Sequence, residues 1–418
     1  MRRDYNGPLP LVPAHDVVTS TPTCLAIAAA LLMAPAAGRA QSIPAGPLRA
    51  FDGRLVVSAD VTATAGAADD IAFFNYTDYE HNALRTFRFG VAGLWQPAGW
   101  LSLVGEVRVE NLEYVSAQAA YIRVRPWRGR AFDIQAGRIP PVFGAYGRRT
   151  YAGDNALIGY PLGYQYLTSL RADAVAAAAD DLLLMRGRGW LASYPVGSPT
   201  DDAGLPLVSA FRWDTGVQAH WVAGPLDMAG AITNGTLSNP RMVDDNGRKQ
   251  FSGRVAVLPA PGLVLGASGA RGGWVAREIP GWSRATQTAR GIDAEYSRGH
   301  WLVRGEAVWS RWSQPLTAPR TAVPSVAARA AWVEGRYRFT PRIVGAVRAD
   351  ALSFSNISGT LFGGRPTPWD APVQRIEATA GYYLQRNLVA RLGVQRNWRD
   401  GGRVLRRTYV SAQLSYWF

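Results

Sequence analysis

Residues 407–418 read RTYVSAQLSYWF, and the fold turns on this stretch. Val410, Ala412, Leu414, Tyr416 and Phe418 fall on one face of an extended chain. Arg407, Tyr409, Ser411, Gln413, Ser415 and Trp417 fall on the other. Successive strand side chains point to opposite faces, so the stretch predicts a strand with one apolar and one mainly polar face. The same period runs back along the chain. Leu55, Val57, Ala59 and Val61 alternate with Arg54, Ser58 and Asp60, and Phe87, Phe89 and Val91 alternate with Thr86, Arg88 and Gly90. Ile376, Ala378, Ala380, Tyr382 and Leu384 oppose Glu377, Thr379, Tyr383 and Gln385.

Continued along the chain, this pattern predicts about sixteen strands, near 54–63, 85–95, 101–111, 117–125, 131–138, 213–222, 226–233, 250–258, 263–270, 290–297, 301–310, 328–339, 343–351, 374–385, 387–397 and 407–418. The connections alternate in kind. Short links such as Gln96-Pro97-Ala98-Gly99, Ala223-Gly224-Pro225, Pro259-Ala260-Pro261-Gly262, Arg298-Gly299-His300 and Arg386-Asn387 carry the Pro, Gly and Asn chemistry of tight turns. Between them lie longer polar stretches at 64–84, 139–212, 234–249, 271–289, 311–327, 352–373 and 398–406. Only the link near 112–116 is brief on that side. Asp244-Asp245-Asn246-Gly247 has part of a calcium loop but not its full spacing or terminal Glu, and reads as a turn.

The chain has 418 residues, a formal charge of +14, 48% hydrophobic and 18% charged residues. Lys249 is its only lysine, so the 45 basic residues are almost all arginine. One cysteine rules out a disulfide framework and any Cys-based zinc site within the chain. At the N-terminus Arg2 and Arg3 precede an apolar run at 24–37 (CLAIAAALLMAPAA), followed by Gly38-Arg39-Ala40. Small residues at −3 and −1 before Gln41 fit a secretory signal peptide over 1–40, cleaved after Ala40. The run is shorter than the roughly 20 apolar residues a membrane-spanning helix needs. Residues 41–418 then form a single β domain.

A last strand ending in Phe418, with Tyr416 two before it and apolar residues at alternate positions, resembles the closing strand of bacterial outer-membrane β-barrels. Together with the export signal and the alternation of short turns and long loops, it identifies the fold class as all-β. The architecture expected is a transmembrane antiparallel β-barrel of about 16 strands, with short periplasmic turns and long extracellular loops. In such a barrel the apolar face meets lipid and the polar face lines the lumen. Residues 41–418 resemble the bacterial porin superfamily and, more loosely, the phosphate-selective porins. The segment 136–147 (AGRIPPVFGAYG) is similar to a Gly-basic…Pro-Phe-Gly strand exit in some of them. The lysine ladder of the phosphate-selective group is absent, so phosphate selectivity does not carry over. The resemblance implies a water-filled channel for passive diffusion of small hydrophilic solutes or ions in a Gram-negative outer membrane. It also implies lipid and lipopolysaccharide contacts, the barrel-assembly machinery as reader of the strand ending at Phe418, and a homotrimer as candidate assembly. Sixteen strands leave an aqueous lumen. A transporter of 22 strands with an N-terminal plug does not fit the length.

The resemblance makes 139–212, after the fifth strand, the candidate constriction loop. It carries Arg148, Arg149, Arg171, Arg186 and Arg188, the acids Asp154, Asp173, Asp180 and Asp181, and several tyrosines. Residues 172–185 (ADAVAAAADDLLLM) have the composition of a short helix. A surface flap over the mouth is the bland alternative for this loop. On the wall, lumen-parity positions include Arg88, Arg108, Arg123, Arg336 and Arg338, opposed by acids such as Glu106, Glu334 and Glu377. Rings of charge set the field in a pore, and arginine favours anions, so a modest anion preference is expected. Salt-bridged wall residues are the alternative reading of each.

A strongly basic chain first suggests nucleic acid, but these arginines are spread over alternate strand positions and no nucleic-acid-binding motif is present. Two rival classes are a barrel enzyme of lipase or protease type and a non-conducting structural or adhesin barrel. His220 has lumen parity on the strand of Asp214, but no Gly-x-Ser-x-Gly elbow occurs and a wall role suits it better. No catalytic residue, cofactor or metal site is expected. Trp95, Trp100, Trp127, Trp221, Trp301, Trp309 and Trp398 near strand ends fit aromatic girdles.

Overall fold

A computed structural model describes residues 44, 46–69, 74–76, 82–244, 247–315, 323–402 and 404–418. The proposed signal peptide at 1–40 and the central part of the Asp244–Gly247 turn lie outside the described residues.

Sixteen long strands form the barrel. They are β1 Leu55–Gly66, β2 Phe87–Ala98, β3 Leu101–Glu110, β4 Tyr114–Val124, β5 Ala131–Ile139, β6 Asp214–Ala223, β7 Leu226–Thr233 and β8 Gln250–Ala260. The second half comprises β9 Leu263–Gly273, β10 Thr286–Arg298, β11 Trp301–Ser313, β12 Ser325–Arg338, β13 Ile343–Phe354, β14 Val373–Gln385, β15 Leu388–Asp400 and β16 Val404–Trp417. All sixteen coincide with the stretches expected from period-two patterning. Each pairs antiparallel with its neighbours, and β16 returns to β1 through Asp60↔Trp417 to Gly66↔Ser411. Phe418 completes the seam, exchanging both backbone hydrogen bonds with Ala59 at 3.0 and 3.1 Å. Closure matters because an open edge would expose unpaired amides to lipid, where each costs several kcal/mol.

Side-chain direction follows the pattern of the sequence. On β13, Ile343, Val347, Ala349 and Ala351 are exposed outward, while Val344, Ala346, Arg348, Asp350 and Leu352 are buried inward. Phe89, Ile122, Val217, Ile292, Val333 and Leu392 on other strands likewise form an outer apolar surface. Bulges sit at Pro97 and Pro259, where a residue without an amide proton cannot continue the ladder. The strands run a few residues farther than period-two reading predicts toward the long connections, so the link between β15 and β16 shrinks from 398–406 to 401–403.

Trp95, Trp100, Trp127, Trp221 and Trp301 are all about half exposed near the short-turn ends. Trp301 stacks on Tyr337 at 4.6 Å between centroids, and Tyr337 meets Phe339 at 4.9 Å. Trp309, on the other end of β11, is also outward and exposed. The girdle is therefore dense on the turn side and sparse on the loop side.

Residues 140–213 do not flap over the mouth. They run inside the barrel and pack against inward-facing side chains from β2, β3, β9 to β11 and β13 to β15. Two glycines of the 136–147 segment make its course possible. Gly137 has φ +127° and a Cβ there would stand 2.3 Å from the Ala120 carbonyl oxygen. Gly144 has φ +72°, and a Cβ would fall 2.3 Å from Glu306 Oε1 and 2.5 Å from the Tyr164 hydroxyl. Only a residue without a side chain can cross so close to the wall. The helix expected over 172–185 is confined to Ala179–Leu184. Asp181 caps it by accepting from the amides of Ala177 and Ala178 at 2.8 and 2.9 Å. Ala174–Val175 instead pairs as a short strand with Val196–Gly197.

Candidate functional site

The inward face of the barrel divides into a filled side and an open side. On the filled side the internal segment docks onto a charged lattice from β11 to β15. Arg348 lies at its centre, 1% exposed. Its Nε donates to Asp350 at 2.9 Å, its Nη2 to Glu377 at 2.9 Å and its Nη1 to the Gly159 carbonyl at 3.1 Å. Arg304 joins Glu334 at 3.1 Å and Asn155 at 2.7 Å. Arg375 reaches Asn397, the Tyr160 carbonyl and the Phe74 carbonyl at 2.7, 3.0 and 2.8 Å. Glu377 in turn accepts from the amides of Ile158 and Gly159, and Asp350 from that of Leu162. Two guanidiniums, Arg304 and Arg348, thus meet three carboxylates, while Arg375 is held by neutral oxygens, and the loop backbone satisfies most remaining valences. Burial of charge is tolerable only with this degree of pairing.

Above the lattice, toward the long loops, the packing becomes apolar. Leu162, Tyr166, Leu170, Leu182 and Leu183 of the internal segment meet Trp274, Trp312, Phe354 and Trp369. The segment is therefore held by a hydrophobic core as well as by charge. Its outer end is fastened by two carboxylates, one from a loop and one of its own. Asp370 is fully buried and accepts from the amides of Ser169, Gly187 and Ala371 at 2.7, 2.8 and 2.6 Å. Burial raises the Asp370 carboxyl above the usual range, and these amides pull it back only in part. Asp180 on the short helix accepts from Thr360 Oγ1 at 2.6 Å and from the Leu361 amide at 3.1 Å, which lowers its carboxyl below the usual range.

The open side faces β4 to β6. A cavity of about 380 Å³ is lined there by Arg123, Arg125, Asp133, Gln135, Pro140, Arg148, Trp213, Gln218 and His220. Its cations outnumber its acids. Arg123 sits 3.7 Å from Asp133 and donates to the Tyr121 hydroxyl at 3.3 Å. His220 is held on both ring nitrogens, with Nε2 2.9 Å from Asp227 and Nδ1 3.5 Å from Asp133. Arg148 enters from the internal segment, its Nε donating to the Pro141 carbonyl at 2.8 Å. Burial lowers the Arg148 guanidinium from its ordinary value, with Arg254 and Arg149 adding like-charge repulsion and Asp227 and Asp133 opposing it.

The residues singled out in the sequence do not converge on one place. Arg123 and Arg148 both line the cavity. Arg88, Glu106 and Arg108 form a neighbouring wall cluster against the internal segment. In it Arg88 pairs with Glu110 and Tyr160, Arg108 pairs with Glu106 at 3.0 Å, and Glu106 accepts from the Tyr151 hydroxyl at 2.6 Å. Arg149 pairs with Glu295 of β10, and Asp154 stays exposed. Arg171, 1% exposed, is a brace within the segment rather than a group facing open space. It holds Asp173 at 3.0 and 2.8 Å and the carbonyls of Ala192 and Thr200 at 2.8 and 2.6 Å. Arg186 donates to the Asp400 carbonyl at 2.7 Å and Arg188 is exposed, both at the outer end. Arg336 and Arg338 lie at the turn end of β12, with Arg338 over the Tyr383 ring. Trp213 and Gln218, which also line the cavity, carry no signal in the sequence that separates them from other wall residues.

Among the described residues no cluster of three or more His, Cys, Asp or Glu could hold a metal, and no helix is long and apolar enough to cross a membrane. Comparison with protein-family profiles and with curated proteins finds no match. Solved structures do match. The chain is similar to OmpT, an outer membrane protein of Vibrio cholerae, at 10% identity and a TM-score of 0.53, covering 90% of this chain and 100% of that one. It is similar to Salmonella typhi OmpF, solved with daunomycin, at 12% identity and a TM-score of 0.52 over 89% and 100%. A third is the anion-selective porin of Comamonas acidovorans, at 11% identity and a TM-score of 0.52 over 87% and 99%. The fold is that of the porin-like outer-membrane barrels.

Proposed function

We propose that the chain, exported by the signal peptide at 1–40, is an outer-membrane porin of a Gram-negative cell. It passes small hydrophilic solutes and ions by diffusion, prefers anions modestly, and assembles as a homotrimer. The observation that carries this reading is the arginine-lined cavity beside the internal segment, where Arg123, Arg125 and Arg148 outnumber the single carboxylate of the lining, Asp133. Guanidiniums in a narrowed aqueous passage lower the barrier for anions and raise it for cations. The buried lattice of β11 to β15 supports the 140–213 segment as the constriction, since it fixes the segment against one wall and leaves the other free. The segment's role is then to set the width and the sign of the field.

The same geometry favours a channel over an enzyme. A histidine acting as general base needs one ring nitrogen free for a nucleophile, whereas both nitrogens of His220 face carboxylates. Reconstitution in planar bilayers under a salt gradient tests the reading. Stepwise conductance with a reversal potential favouring Cl⁻ over K⁺ is expected. The R123Q/R148Q double variant should reduce that permeability ratio by roughly twofold. Absence of any channel, or equal permeabilities in the parent protein, overturns it.

A further inference from the structure

The outward face of the barrel carries a feature that the pore does not use. Most outward positions of β9 to β12 are apolar or small, and none is acidic: Asp293, Glu295, Glu306 and Glu334 all point inward. Near the long-loop ends, however, Arg271, Arg290, Arg311 and Arg329 stand outward and exposed, one on each strand. Their parity is fixed by neighbours, since Ala270, Ala289, Ser310 and Ala328 beside them are buried inward.

Register places the four together. Arg271 lies opposite Thr288, which lies opposite Arg311, and Arg290 lies opposite Trp309, which lies opposite Arg329. Each pair is therefore separated by one strand, or about 10 Å at the usual strand spacing. None of the four is paired with a carboxylate among the described residues; Arg311 donates only to Ser325 Oγ at 2.9 Å. The row continues in the other direction with a different character. Arg271 pairs with Phe251, Phe251 with Ile232 and Ile232 with Val217, all outward and exposed. The basic patch thus begins abruptly at β9; a second, smaller pair of outward arginines, Arg396 and Arg406, stands beside Trp398 on β15 and β16.

Unpaired arginines are costly in hydrocarbon but not at the headgroup boundary, where the cost falls to about 0–1 kcal/mol. They lie beyond or beside Trp309, whose exposed ring suits that boundary. On the long-loop side of an outer membrane the facing leaflet is a phosphorylated glycolipid, and guanidiniums bind phosphate through paired charge-assisted hydrogen bonds. We infer that Arg271, Arg290, Arg311 and Arg329 form a lipid-facing site for the phosphates of lipid A, with Trp309 packed against its sugar or acyl region. The inference rests on the outer-membrane placement proposed above and not on conductance.

The test uses the full folded barrel in detergent, with lipid A bearing both phosphates, the same lipid A after phosphate removal, and phosphatidylglycerol as probes. Bound lipid is read by native mass spectrometry. Bisphosphorylated lipid A should bind at least tenfold more tightly than either other lipid. The R271Q/R290Q/R311Q/R329Q variant should lose that margin, while its single-channel conductance stays that of the parent because no substituted side chain enters the lumen. If the fourfold variant does not show the heat-modifiable migration of a closed barrel, R290Q/R329Q is read instead and should lose at least threefold. Parent-like lipid A binding by the folded variant, or equal binding of phosphate-free lipid A or phosphatidylglycerol, overturns the site. A barrel that binds lipid A but conducts nothing overturns the pore and leaves the site standing.

Discussion

The choice of arginine over lysine explains itself at single positions. Arg348 must satisfy Asp350, Glu377 and a backbone carbonyl at once from a position 1% exposed. A planar guanidinium offers five donors in a fixed fork and stays charged when desolvated; an ammonium would do neither. The single lysine, Lys249, is found where neither demand applies, on an exposed loop beside Asp244. Removing the centre of the lattice should be severe. Arg348→Ala would leave Asp350 and Glu377 buried without their cation, a loss of about 3–5 kcal/mol. The temperature at which the folded band converts to the unfolded band on gels should drop markedly. Arg348→Lys should recover only part of it. A variant with parent-like heat stability would show that the lattice contributes nothing to holding the segment. Period-two parity places Glu334 and Glu377 on the lumen face, and both are buried inward. It could not read that a segment distant in the chain would cover them, because burial of an inward residue depends on what fills the barrel, not on local period.

At the scale of elements, the internal segment behaves as a small domain docked in a shell. Its glycines and carboxylates say where it is fixed. Gly144→Val would force a branched side chain into a site with φ +72° and against Glu306 and Tyr164. The segment should be displaced from that wall, and the expected readout is an altered unit conductance with noisier open states, the barrel strands themselves remaining intact by circular dichroism. The outer end responds to pH with a defined sign. Asp180 has its carboxyl lowered by Thr360 and Leu361, so its contact is fully present above the ordinary carboxylate range and is lost as pH falls through the lowered value. Because Asp180 is largely solvated the effect on global stability is small, but the helix at Ala179–Leu184 should loosen below about pH 4, seen as faster amide exchange there. In Asp180→Asn that acid-dependent increase should vanish. Asp370 runs the other way: burial raises its carboxyl, so protonation on acidification favours the folded state and does not release the loop. The strands were legible because period two and turn chemistry are local. The helix expected over 172–185 is too long, only Ala179–Leu184 being helical, because Ala-rich composition reports propensity, whereas pairing of Ala174–Val175 with Val196–Gly197 is a tertiary choice.

For the whole molecule, closure is the governing constraint. Sixteen strands leave no edge only if β16 meets β1, which the ladder from Asp60↔Trp417 to Gly66↔Ser411, extended by the Ala59–Phe418 pair, achieves. The terminal pattern that gave the fold its first reading is therefore also the seam on which the barrel depends. Deleting Phe418 removes a doubly hydrogen-bonded partner of Ala59 and a ring lying 5.9 Å from Tyr416 at the turn-side boundary. The loss concerns one backbone pair and one aromatic contact, small against the ladder that remains from Asp60↔Trp417 to Gly66↔Ser411. Thermodynamic stability of a barrel folded in vitro should accordingly change little. If the terminal aromatic is also the mark read during assembly in the cell, insertion should fall far more than stability does. The measurement is a comparison of two quantities for the ΔPhe418 and Phe418→Ala variants: heat-modifiable migration after refolding from urea, and the amount of folded barrel recovered from outer membranes. Parent-like refolding with strongly reduced recovery is expected for both. Equal losses in the two assays would place the role of Phe418 in the seam alone, and parent-like recovery would remove it from assembly altogether.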